Sequence, residues 1–254
     1  MFRIKVVLLI LVICCLTIAR VQAASVSIYD IQYTTDVSGD SPYADQTVDC
    51  AGGIVINKWI GGSTKLTLYD PANPTGWGGI IAKAFDGEFD SIQTGDWVSF
   101  TGILVEERSG NTQLSYEIGS GINVDSTGNI LPVAVDITAP VFSEQYESMM
   151  VEVSDAEVTT MDLGKYGDNY NLHNVTGDYW AGDYMNIDAG GPYHPYVSAG
   201  AAFQSVSGII EHKISDEWDY YQMLTTGTSD FTVPEPATIV LLVTGAMVLR
   251  KRKI

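Results

Sequence analysis

Residues able to bind metals, move protons or attack carbonyls are present, but scattered. His173, His194 and His212 lie far apart, without His-x-x-x-His or Cys-x-x-Cys spacing, so no zinc ligand set is readable and no cofactor is expected. Calcium is the one cation the acidic loops would suit, at Asp36, Asp40 and Asp45 or at Asp86, Glu88 and Asp90. Turn chemistry explains aspartate in such places without an ion. Cys50 is the one conspicuous nucleophile. It follows Asp49 in an expected strand, where an adjacent carboxylate raises a thiol's pKa, and it reads as a buried, inert thiol. No Gly-x-Ser-x-Gly elbow or phosphate-cradling glycine loop occurs, and neighbours such as Glu106 and Glu107 point to opposite faces of a strand. The expectation is a non-catalytic protein.

Aromatic rings are the remaining resource. Trp59, Trp77, Trp180 and Trp218 fall in or beside expected loops, and Tyr220 stands beside the last of them, with Tyr179, Tyr193, Tyr196 and Tyr221 nearby in the second half. Exposed rings beside carboxylates and amides grip sugars by stacking and hydrogen bonding, so these five are the candidate ligand-binding residues and a polysaccharide the candidate partner. The alternative use of such rings is to fill the ends of small barrels. Trp97, beside Val98 and Phe100, reads as core.

Charge narrows the partners. Between residues 24 and 233 the basic residues are six (Lys58, Lys65, Lys83, Arg108, Lys165, Lys213) against thirty acids, the chain's 31 less Glu235, for a net charge of -24. Phosphate backbones draw affinity from clustered cations that displace counterions. Nucleic acid is therefore not an expected partner.

Alternating apolar patterns broken by Gly, Asn, Asp and Pro make the body all-β, with strands expected in the first half at 46–56, 65–69, 79–84, 97–107 and 113–118. An internal repeat divides it. GDWVSFTG at 95–102 is echoed by GAAFQSVSG at 200–208, aligning Gly102 with Gly208, Trp97 with Phe203 and Phe100 with Val206. TVDCAGGIVI at 47–56 stands where MMVEVSDAEV does at 149–158, and 113–118 corresponds to 220–224. The expected organisation is a signal segment at 1–23, one β module at 24–130, a second at 131–232 and a tail at 233–254. Glycine within strands, at Gly102 and Gly208, suits the bends that close a small barrel.

The stretches IYDIQYTTDVSGDSPYADQTV (28–48), GIVI (53–56) and GDWVSFTG (95–102) resemble the OB-fold-like module of bacterial secreted and surface proteins, which also precedes the catalytic domain of some extracellular nucleases. YESMMVEV (146–153), GKYG (164–167) and YQML (221–224) resemble a second copy. The resemblance implies two tandem five-stranded barrels. No separate catalytic domain fits in the chain.

The termini carry an address. Arg3 and Lys5 precede an apolar run at 6–19, and Val21, Gln22 and Ala23 offer a signal-peptidase site with cleavage expected after Ala23. At the other end Pro234, Glu235 and Pro236 precede an uncharged apolar stretch at 237–249 and the cations Arg250, Lys251, Arg252 and Lys253. As a helix that stretch spans about 20 Å, short of a hydrocarbon core of roughly 30 Å, and the cations hold its end in the cytoplasm. This three-part order resembles the PEP-CTERM sorting signal. The resemblance implies a Gram-negative host, transient anchoring in the inner membrane through a transmembrane helix, cutting near the tripeptide by an exosortase, and delivery to the outer envelope or extracellular matrix. The reading is an exported surface or matrix protein with polysaccharide as its ligand. Two alternatives stand beside it: an enzyme acting on extracellular polymer through carboxylates in an inter-module cleft, and a display module without a ligand.

Overall fold

The computed structural model describes residues 25–85, 87–164, 167–183, 197–214 and 219–233, and of 162–164 and 167–168 the backbone only. The signal segment, the tail from Pro234 onward, Trp218, Tyr193, Tyr196, His194, Lys165 and Asp86 lie outside the described residues. Among the described residues no helix is long and apolar enough to cross a membrane.

The first half forms strands β1 (Thr47–Ile60), β2 (Thr64–Tyr69), β3 (Gly79–Ala84), β4 (Trp97–Arg108), β5 (Asn111–Ser115) and β6 (Gly121–Ser126). Five of them close a ring in the order β1-β2-β3-β5-β4 and back to β1, with β3 and β5 parallel, and β6 extends β4 outside it. That is the OB-fold arrangement. Closure depends on β1 serving two neighbours. Its residues 47–54 pair with β4 and its residues 54–60 with β2. The bend between the two falls at Gly52, where φ is +68° and an added Cβ would sit 1.6 Å from the Val98 carbonyl oxygen. Only glycine can occupy that corner.

The second half repeats the plan with β7 (Val135–Asp136), β8 (Met150–Gly164), β9 (Gly167–His173), β10 (Asp178–Gly182), β11 (Ala202–Ile214), β12 (Asp219–Leu224) and β13 (Phe231–Thr232). The ring runs β8-β9-β10-β12-β11 and back to β8, with β10 and β12 parallel, and β7 and β13 lie outside it. The chain is thus mostly β, in two OB-fold-like modules. The segments aligned by the sequence repeat fall on corresponding strands: β1 with β8, β4 with β11, β5 with β12.

Four features differ from the sequence reading. Residues 28–32 form a short helix, α1 (Ile28–Gln32), started by a capping box between Ser27 and Asp30, and Ile28 and Ile31 plug the first barrel. Strand β6 was not foreseen, because its side chains are largely exposed and show no alternation. Trp97 is half-buried outside the core, its Nε1–H donating to the Ala51 carbonyl at 3.2 Å. Period two places it opposite Val98 and Phe100, so Phe203, which does face its core, corresponds to Val98. Finally, the paired glycines do different work. Gly102 takes a positive φ (+61°) held by the Asp49 carboxylate, which accepts its N–H at 2.9 Å, whereas Gly208 admits the close approach of Met223 and Leu224.

Each barrel has its own core. The first is mostly aliphatic around Phe89 and Phe100, and the second is built on Phe142, Tyr170, Tyr179, Phe203 and Phe231. The barrels meet through backbone-like contacts. The Asn111 amide donates to the His212 carbonyl at 2.6 Å while its oxygen accepts the His212 N–H at 2.9 Å, and the Trp77 N–H reaches the Gln145 carbonyl at 2.6 Å.

Candidate functional site

The parallel pair β10–β12 presents alternating residues. Tyr179 and Ala181 turn inward, and Asp178 and Trp180 turn out. Beside them Asp219 and Tyr220 open β12. With Val141, Phe142 and Tyr221 all of these except Ala181 line a groove of about 280 Å3. Its rings fall into two sets. Tyr179 is a wall: buried, packed on Phe142, its hydroxyl donating to the Ala139 carbonyl at 2.7 Å. Tyr221 is a wall too, stacked on His212 at 4.2 Å and donating to Glu144 at 2.6 Å. Burial, with that donation to Glu144 adding to it, holds the phenol in its neutral form far above the ordinary tyrosine range. Trp180 and Tyr220 are the available surfaces. Trp180 is 46% exposed, and its ring lies 6.1 Å from that of half-buried Tyr220 at 47°.

Each acid of the groove is steadied by a histidine. Asp178 Oδ1 lies 2.9 Å from His173 Nδ1, and Asp219 Oδ1 lies 2.7 Å from His212 Nε2. Such pairing fixes the carboxylate's direction while its second oxygen can accept from a hydroxyl. The groove therefore joins two apolar ring faces to two oriented acceptors, a pattern suited to an uncharged polyol or sugar.

Behind the groove lies a joint between the barrels. Glu144 and Glu147 follow β7, and each brings a carboxylate oxygen, with a nitrogen of His212 on β11, to within 4.8 Å of the others. Burial pushes both carboxyls upward, Glu147 well above the usual carboxylate range, with Glu144's negative charge adding to the effect. Gln32 from α1 donates to Glu147 at 3.3 Å, and the Thr112 N–H from β5 does so at 3.0 Å.

The structure distributes the other sequence candidates unequally. Trp180 and Tyr220 share the groove. Trp59 lies on the first barrel, half-buried, with Lys65 Nζ 4.6 Å above its ring. Trp77 joins a separate patch, edge-on to Tyr33, which in turn stacks on Tyr29 at 5.2 Å. Trp218 lies outside the described residues. Cys50 is buried and its thiol is pushed up to about 11, as an inert core residue requires. The chief cause is burial rather than Asp49, whose carboxylate serves Gly102 instead.

No family model matches the chain, and no curated protein matches it in sequence. Solved structures similar to it include a murine DNA-binding protein bound to double-stranded DNA, at 13% identity over 73% of this chain and 95% of that one, with a TM-score of 0.38. Fission yeast Pot1 with single-stranded DNA is similar at 12% identity, over 72% and 80% of the two chains, with a TM-score of 0.33. Tetrameric p202 HIN2 gives 7% identity, 72% and 90% coverage and a TM-score of 0.34. The likeness is to tandem OB-fold-like β domains, without a family assignment.

Sequence reasoning missed the joint. His212 looks isolated in the sequence because its partners are not at a fixed short spacing: Glu144 and Glu147 come from the connection between barrels and meet it only on folding. Their three-residue spacing was a signal, but within a β protein it pointed nowhere.

Proposed function

We propose that this chain is an exported, non-catalytic surface or matrix protein whose second barrel holds a polysaccharide in the β10–β12 groove. The supporting observation is the pairing of Trp180 and Tyr220 with the histidine-held carboxylates of Asp178 and Asp219 in one groove. Rings stack on the C–H faces of sugars, and carboxylates accept their hydroxyls. A net charge of -24 over residues 24–233 opposes nucleic acid as the ligand, although proteins of similar chain path bind DNA. The address comes from the termini: a signal peptidase acts after Ala23, the tail at 237–249 rests in the inner membrane, and an exosortase cuts near Pro234, Glu235 and Pro236. Cutting there discards Arg250, Lys251, Arg252 and Lys253. Intact peptides ending in Ile254 from cell-surface material would remove the sorting part of this reading.

One observation favours a second reading, hydrolysis of polymer: Asp178 and Asp219 line the same groove. Their side chains are 68% and 69% exposed, however, and a general acid needs burial to keep its proton at neutral pH. Glu147 has the burial, but it lies inside the joint, away from a substrate. A glycan array probed with the purified protein, followed by reducing-end assays on each bound glycan, tests both readings. Binding without product supports retention; product from any glycan makes the protein an enzyme; uniform blanks leave the display role.

A further inference from the structure

The joint holds more acid than its surroundings can neutralise. Glu147 is 1% exposed, and while its Oε1 accepts from Gln32 and Thr112, its Oε2 has no hydrogen-bond partner among the described residues. Glu144 stands beside it, and neither is paired with a lysine or arginine among the described residues. A buried carboxylate oxygen without a partner is costly, and two adjacent carboxylates ionise together only around a cation.

His212 tells the same story from the other side. Its Nδ1 lies 3.0 Å from the Gly110 carbonyl oxygen and 3.7 Å from Glu144 Oε2, and its Nε2 lies 2.7 Å from Asp219 Oδ1. Every neighbour is an acceptor. A neutral ring can donate to one of them only, so the second nitrogen needs either an extra proton or a metal ion.

We propose that Glu144, Glu147 and His212 Nδ1 form a divalent-cation site of the zinc class that fastens the connection between the barrels to β11. One imidazole nitrogen with two carboxylates suits zinc and its neighbours, whereas calcium and magnesium take all-oxygen shells. The surroundings match. Asp219 takes the Nε2–H, which leaves Nδ1 unprotonated for the ion with the Gly110 carbonyl oxygen 3.0 Å from that nitrogen as a further donor beside it, and the Tyr221 hydroxyl holds Glu144 while its ring stacks on the imidazole. Gln32 and Thr112 of the first barrel hold Glu147 from behind, so the ion stabilises the contact between modules. The site does not depend on the sugar reading, because no ring of the groove is a ligand.

The test uses the full chain, purified in mild detergent and stripped with a chelator. One equivalent of zinc chloride raises the melting temperature by about 5 °C, while calcium chloride at the same concentration moves it by less than about 1 °C. Cobalt(II) loaded in its place gives a visible absorption of low coordination number. E147Q and H212Q each abolish the zinc shift and the cobalt spectrum, and circular dichroism checks that both remain folded. E147Q keeps the shape and removes the charge, so it is the variant most certain to fold. A stripped wild-type chain that neither melts higher with zinc nor gives the cobalt spectrum overturns the proposal, as does an E147Q protein that keeps both responses.

Discussion

The two barrels close with the same strand order, yet their parallel strand pairs turn different residues outward. In the first, the parallel pair β3–β5 sets Ile81 beside Gln113 and Lys83 beside Ser115. Its outer surface is polar, with Gln113 and Ser115 both donating to Glu106, whose carboxyl is thereby held below its ordinary range. In the second, the equivalent pair β10–β12 carries Trp180 and is opened by Tyr220. Topology is constant, and what changes is the outward residue at alternate positions of one strand pair. A shared ring therefore says nothing of what either module's surface holds, which has to be argued module by module.

The largest expected effect lies at the bend of β1. Gly52→Ala places a Cβ against the Val98 carbonyl at a left-handed corner, and we expect a loss on the order of 3 kcal/mol or more in urea unfolding. Gly208→Ala, at an ordinary φ but with its Cβ 2.6 Å from Met223 Cγ and 2.7 Å from the Leu224 carbonyl oxygen, should cost less than Gly52→Ala, about 2 kcal/mol. Equal losses would mean that the Leu224 backbone resists an added Cβ as firmly as the Val98 backbone does.

The first barrel also holds a thiol where the second holds an alkyl group: Cys50 stands opposite Phe100 as Val153 stands opposite Val206. The raised pKa, from 9.0 to about 11, leaves about a hundredfold less thiolate at pH 8 than an ordinary cysteine has. Modification by a thiol reagent should therefore be slower by at least about a hundredfold in the native protein than in urea. Raising the pH speeds the native reaction tenfold per unit until about 11. Cys50→Val should cost less than about 1.5 kcal/mol, since it makes this position like its counterpart. A native thiol that reacts as fast as the unfolded one would return Cys50 to the list of functional residues.

Much of this architecture was legible because barrels write themselves in periodic terms. Alternation located the first five strands of the first module to within a few residues, and Gly102 with Gly208 exposed the duplication. What was illegible involved contacts at long sequence separation. Ile28 and Ile31 look like strand residues until the Ser27–Asp30 box is seen to start a helix. The aromatic candidates form one set in the sequence, and nothing in their spacing tells that Trp180 and Tyr220 share a groove while Trp59 and Trp77 lie elsewhere. Strand pairing decides that, and β10 finds β12 only across the intervening β11.

The finest comparison exchanges single outward residues of the two parallel pairs. Trp180→Ala removes a half-exposed ring beside Tyr220, so folding stability should change by less than about 0.5 kcal/mol while sugar affinity falls about tenfold. Lys83→Ala, on the equivalent strand of the first barrel, removes a cation lying 4.5 Å over Phe85 and should change affinity by less than about twofold. Affinity electrophoresis in gels containing the bound glycan reads both variants against wild type on the same scale. If Lys83→Ala weakened retardation as much as Trp180→Ala, the ligand would have to span both modules. The first barrel would then be part of the binding surface rather than its support.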